Sequence, residues 1–68
     1  MRTFVTFGQT HVHSINSKTF DKDCVAVVNG SREEVHKLFG DKFSMAYHEQ
    51  DFDPKTMMYF PRGYITVE

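Results

Sequence analysis

Cys24-Val25-Ala26-Val27-Val28-Asn29-Gly30-Ser31-Arg32-Glu33-Glu34-Val35-His36-Lys37-Leu38-Phe39-Gly40 is the stretch on which the fold turns. Its first five residues are a continuous apolar run, the pattern of a central strand covered on both faces. Asn29-Gly30 closes that strand. Ser31-x-x-Glu34 is a capping box, in which each side chain accepts from the other residue's free backbone N–H, and Glu33 sits favourably near the positive end of the helix dipole. Val35, Leu38 and Phe39 fall at i, i+3 and i+4, giving the helix a narrow apolar stripe. Gly40 suits the left-handed residue that ends a helix.

Upstream, Thr3-Phe4-Val5-Thr6-Phe7 is β-branched or aromatic throughout and stops at Gly8, as a strand does at a bend or bulge. Residues 11–15 form a second strand, or the first one resumed. Asn16-Ser17 supplies a tight hairpin turn, and Lys18-Thr19-Phe20 begins the return. Downstream, Phe43, Met45 and Tyr47 alternate with Ser44, Ala46 and His48 as in a strand. Asp53-Pro54 places an N-cap before a proline at the first helical position, predicting a helical turn over 54–59. Pro61-Arg62-Gly63 is a turn, and Tyr64-Ile65-Thr66-Val67 a short closing strand.

The order is β-β-β-α-β-turn-β. It predicts one α+β domain over 1–68: a mostly antiparallel sheet of four to five strands with one short helix packed on one face. The other face is expected to be open to solvent, a ligand or a second copy of the chain.

Composition agrees with a sheet. The 68 residues include seven Phe and seven Val but one Leu. A chain of this length buries only about 60% of its unfolded surface, leaving about 4,500 Å² exposed, and that burial roughly offsets the entropy of ordering. Self-association as a homodimer is therefore expected. Net charge is −1, which argues against direct nucleic-acid binding and against an anionic-membrane binder. No apolar run reaches membrane-spanning length, the first residues have no signal-peptide pattern, and the single Cys suits a reducing cytoplasm.

Three constellations could carry chemistry. His11-x-His13 on a strand would project two imidazoles from one face about 7 Å apart, the geometry of a divalent transition-metal site such as zinc. Cys24, His36 and His48 are candidate third ligands, but none stands at a recognised spacing, and a structural or exposed pair is the competing reading. Glu49-x-Asp51-x-Asp53 lies in an acidic tract: over 41–53, Asp41, Glu49, Asp51 and Asp53 against Lys42 sum to −3, leaving +2 for the rest. Such carboxylates can occupy a basic groove on a nucleic-acid-handling partner, hold Ca²⁺ or Mg²⁺, or belong to a solvated loop. Met57-Met58-Tyr59-Phe60-Pro61-Arg62-Gly63-Tyr64 gathers large apolar groups around a turn. These pack in the core or serve a protein interface, and Arg62-Gly63-Tyr64 only weakly echoes an RNA-recognition signature. Signatures of enzymes are absent: there is no Gly-rich phosphate loop, G-x-S-x-G, C-x-x-C or H-E-x-x-H.

Thr6-Phe7-Gly8-Gln9-x-His11-Val12-His13, Lys18-Thr19-Phe20-Asp21-Lys22-Asp23-Cys24-Val25-Ala26-Val27, Leu38-Phe39-Gly40-Asp41-Lys42-Phe43 and Phe60-Pro61-Arg62-Gly63-Tyr64-Ile65 resemble a group of short bacteriophage and prophage proteins without an assigned activity. The resemblance implies a setting in the host cytosol and a host-encoded protein partner, and it assigns no functional residue. The expectation is a non-enzymatic accessory protein that binds and modulates or inhibits a host macromolecule, as a host-defence antagonist does. Glu49, Asp51 and Asp53 are its expected electrostatic contacts, and Tyr59, Arg62 and Tyr64 its anchors. The alternatives are a metal-binding protein using His11 and His13 and, ranked last, a single-stranded nucleic-acid-binding module.

Overall fold

In the computed structural model, which describes residues 1–67, the Cys24–Val28 run lies where its uninterrupted apolarity requires, inside a sheet with both faces covered. Strand β1 (Arg2–Thr6) is followed by a hairpin of β2 (His13–Ile15) and β3 (Lys18–Phe20). Strand β4 (Cys24–Asn29), helix α1 (Arg32–Phe39) and β5 (Met45–His48) come next. Two 3₁₀ segments (Glu49–Asp51 and Pro54–Tyr59) then lead into β6 (Gly63–Thr66).

The main sheet has the order β5-β1-β4-β6, and β2-β3 form a separate two-stranded sheet. β1 runs antiparallel to both neighbours, with Phe4 opposite Val27 on one side and Tyr47 on the other. β4 and β5 are consequently parallel to each other, with β1 between them and α1 as their crossover. β6 pairs parallel with β4, from Cys24 opposite Gly63 to Val27 opposite Thr66. The fold is thus α+β, but the main sheet is mixed where a mostly antiparallel one was expected, and the described residues form six strands in two sheets. The parallel neighbours β4 and β6 are joined through residues 30–62, which include α1 and β5 and exceed the dozen or so residues such a connection needs, and the last part of it, residues 49–62, crosses the sheet from one edge to the other.

On the helix side, Val5, Phe7, Cys24, Ala26 and Val28 pack with Phe20, Val35, Phe39 and Val67. Phe39 is the hub of its ring contacts, 5.1 Å from Phe7 and 5.9 Å from Phe20. Leu38, expected in the apolar stripe, is 37% exposed, so α1 buries only Val35 and Phe39. The opposite face is not open, contrary to expectation. Phe4, Val25 and Val27 are covered by Phe52, with Tyr47, Met57 and Phe60 packed alongside. Met57 and Phe60 are three apart, the period of a 3₁₀ turn, so both fall on the side facing the sheet. Total exposed surface is 4423 Å², close to the scaling expectation.

Local chemistry explains the boundaries. Asn16 and Ser17 both take positive φ, 52° and 65°, as the twist of a two-residue hairpin demands. Ser31 Oγ accepts from the Glu33 N–H at 3.3 Å, whereas the Glu34 carboxylate meets Lys37 Nζ at 3.3 Å, so the cap is one-sided. Gly40 ends the helix at φ 63° and ψ −131°, a region outside the left-handed helix and open essentially to glycine. Among the described residues every peptide bond is trans, Phe60–Pro61 included. No helix among them is long and apolar enough to cross a membrane.

Candidate partner-binding surface

The chain leaving β5 has two sides. Phe52, Met57 and Phe60 face the sheet, while Met58 and Tyr59 face outward at 77% and 70% exposure. Asp53 sets this geometry: its backbone is extended, Pro54 follows at the first position of the turn, and its Oδ1 accepts from the Lys55 N–H at 2.9 Å. The expected N-cap at Asp53 is therefore present, and part of that carboxylate's hydrogen-bonding capacity is committed to it.

The six expected contact residues do not gather at one point. Glu49 is ion-paired with Arg2 at the Asn29 end of β4. Arg62 lies at the Cys24 end, where its N–H donates to the Asp23 carbonyl at 2.9 Å. Its Nη1 donates to the Thr19 carbonyl at 2.8 Å and stands 3.3 Å from the Asp21 carboxylate. The length of β4, about 17 Å at 3.3 Å per residue, separates the two. Arg62 thus ties the last turn to the segment between β3 and β4. The Tyr64 ring lies 5.3 Å from Phe4 and 6.2 Å from Phe52 in tilted and edge-on contacts, and the residue remains 47% exposed. Asp51 is exposed and makes no ion pair among the described residues. Asp51, Met58 and Tyr59 therefore have their functional groups uncommitted, with Asp53 half committed between them.

The histidine pair is split by its surroundings. His13 Nε2 stands 2.6 Å from the Lys42 carbonyl oxygen, and its ring packs 4.9 Å from Phe39 and 5.7 Å from Phe7. A carbonyl only accepts, so this nitrogen carries the proton and offers no lone pair to a metal while the bond holds. His11 precedes β2 and is half-buried. His36 Nδ1 is taken by the Gly40 carbonyl at 3.1 Å and lies 3.4 Å from the Asp41 carboxylate. Cys24 is buried, with its sulfur accepting from the Asp21 N–H at 3.4 Å and donating to the Asp21 carbonyl at 3.7 Å. Burial pushes its thiol pKa up, away from the thiolate a metal needs. Among the described residues no three His, Cys, Asp or Glu side chains converge on a point that could hold a metal ion.

Sequence reasoning missed the role of Phe52 as the cover of the second face. The available signal was a single large apolar residue flanked by Asp51 and Asp53. It also missed Lys18, whose Nζ donates to the Thr66 carbonyl at 2.8 Å and joins the hairpin to β6.

No family model, curated protein or solved structure matches the chain.

Proposed function

We propose that this chain is a non-enzymatic binding protein that modulates or inhibits a macromolecular partner, and that it docks through the outer side of residues 49–60. One observation carries the reading: Met58 and Tyr59 are the exposed side of a segment whose other side is buried, and acids stand at its entry. Methionine and tyrosine adapt to and anchor protein interfaces, and hot spots are enriched in tyrosine. Asp51 and Asp53 supply negative charge beside them, suiting a basic surface such as the nucleic-acid groove of a defence or other nucleic-acid-handling protein. In the phage setting implied by the resemblance, that partner is host-encoded. Tyr64 extends the aromatic surface along β6. Glu49 and Arg62 serve this reading less directly, because each already has a partner within the fold.

The test is capture of host proteins on the immobilised chain, compared with Asp51→Lys/Tyr59→Ala. Neither residue holds a fold contact on which stability depends, so the variant melts as the parent does. A host protein recovered by the parent and reduced at least about tenfold by the variant is the expected result, equivalent to losing one interface hot spot. Equal recovery by the folded variant overturns the site.

A further inference from the structure

We propose that the outer edge of β5 pairs antiparallel with the same strand of a second copy, joining two four-stranded sheets across a two-fold axis at Tyr47. The edges of the sheet are β5 and β6, and they are treated differently. Val67 donates to the Val27 carbonyl, so Val67 faces β4 and Thr66 faces outward. That outward carbonyl is taken by Lys18 Nζ. Nothing comparable guards β5. Residues 43–48, Phe-Ser-Met-Ala-Tyr-His, contain no Lys, Arg, Asp, Glu or Pro, the side chains with which edge strands are kept from pairing.

The register identifies the groups on offer. The Gly30 N–H donates to the Met1 carbonyl across the β1–β4 ladder, so odd-numbered residues of β1 turn their backbone groups to β4 and even-numbered ones to β5. The Thr6 carbonyl, accepting from the Ser44 N–H at 2.8 Å, agrees. Because Phe4 lies opposite Tyr47 and Thr6 opposite Met45, it is Met45 and Tyr47 that face β1. Ala46 and His48 turn their N–H and C=O groups away from the sheet.

Around a two-fold at Tyr47, Ala46 of one copy meets His48 of the other, and each such pair exchanges both backbone hydrogen bonds. Tyr47 meets its own counterpart as the close, non-hydrogen-bonded pair, its ring already held 5.5 Å from Phe52. An isologous contact of this kind closes at two copies, and it is separate from the outer side of residues 49–60.

Sedimentation and native mass spectrometry of the full chain across a concentration series provide the test, with Ala46→Pro as the variant. The expected parent species has twice the 8.0 kDa chain mass. Proline at 46 deletes only an outward N–H and is tolerated at a sheet edge, so the dimer should weaken by about tenfold or more while the monomer stays folded. Amide exchange on the parent needs no variant: Ala46 and His48 should be protected at dimer-forming concentration and exposed on dilution. A parent that is monomeric throughout, a dimer whose two amides exchange freely, or a folded Ala46→Pro that dimerises normally overturns the proposal. If Ala46→Pro does not fold, the exchange result decides.

Discussion

The His13 imidazole joins the β2–β3 hairpin to the chain that enters β5, through its Nε2 at 2.6 Å from the Lys42 carbonyl and its ring 4.9 Å from Phe39. One side chain thus fastens the small sheet to the helix side of the main core. His13→Ala is expected to destabilise by about 1–3 kcal/mol, through the unpaired carbonyl and the lost ring contacts. Thermal melting reads this as a fall of about 4–8 °C per kcal/mol, and His11→Ala serves as a near-neutral comparison.

Arg62 is expected to behave as a fold residue. Arg62→Ala removes a donor from the Thr19 carbonyl and a charge from beside Asp21, at a cost of about 1–2 kcal/mol after allowing for its exposure. Arg62→Lys should recover only part of that, since an ammonium cannot reproduce the guanidinium fork. Urea midpoints of the two variants, compared at equal slope, check the order.

Phe52 and Met58 lie in the same crossing segment and should differ sharply. Phe52→Ala empties the cover over Phe4, Val25 and Val27 and should cost about 3–5 kcal/mol, enough to unfold much of the population of so small a domain. Met58→Ala, at an exposed position, should stay within about 0.5 kcal/mol of the parent. Circular dichroism melts of the pair separate the two sides of the segment.

Cys24 gives the expected pH dependence. Burial raises its thiol pKa in the folded chain above the ordinary value of 9.0. The unfolded chain therefore loses the thiol proton first as pH rises, and the folded state is disfavoured in that range. The thiol's contribution is fully present below about pH 9 and is lost as pH climbs through the folded value. Denaturation midpoints measured on either side of that pH should fall on the alkaline side, and Cys24→Ala should flatten the difference. Thiol labelling of the native chain near neutral pH should be slow and should accelerate in denaturant.

Local signals in the sequence determined much of this protein. The apolar run at 24–28, the Ser31 cap, the positive-φ turn at Asn16-Ser17 and the Asp53-Pro54 start are each set by interactions within a few residues, and each stands where its chemistry puts it. The short helix could also be seen to cover only one face. What covers the other face was decided by the tertiary structure, because Phe52, Met57 and Phe60 reach Phe4 and Val27 across long sequence separations that no periodicity encodes. The same holds for the parallel alignment of β6, for the capture of His13 by a carbonyl 29 residues away, and for the tie from Arg62 to Thr19. Residue types named the groups that could act as ligands or anchors. Only the closed fold decided which of them were already occupied, since a side chain's hydrogen-bonding capacity is spent on whichever partner the packing brings within reach.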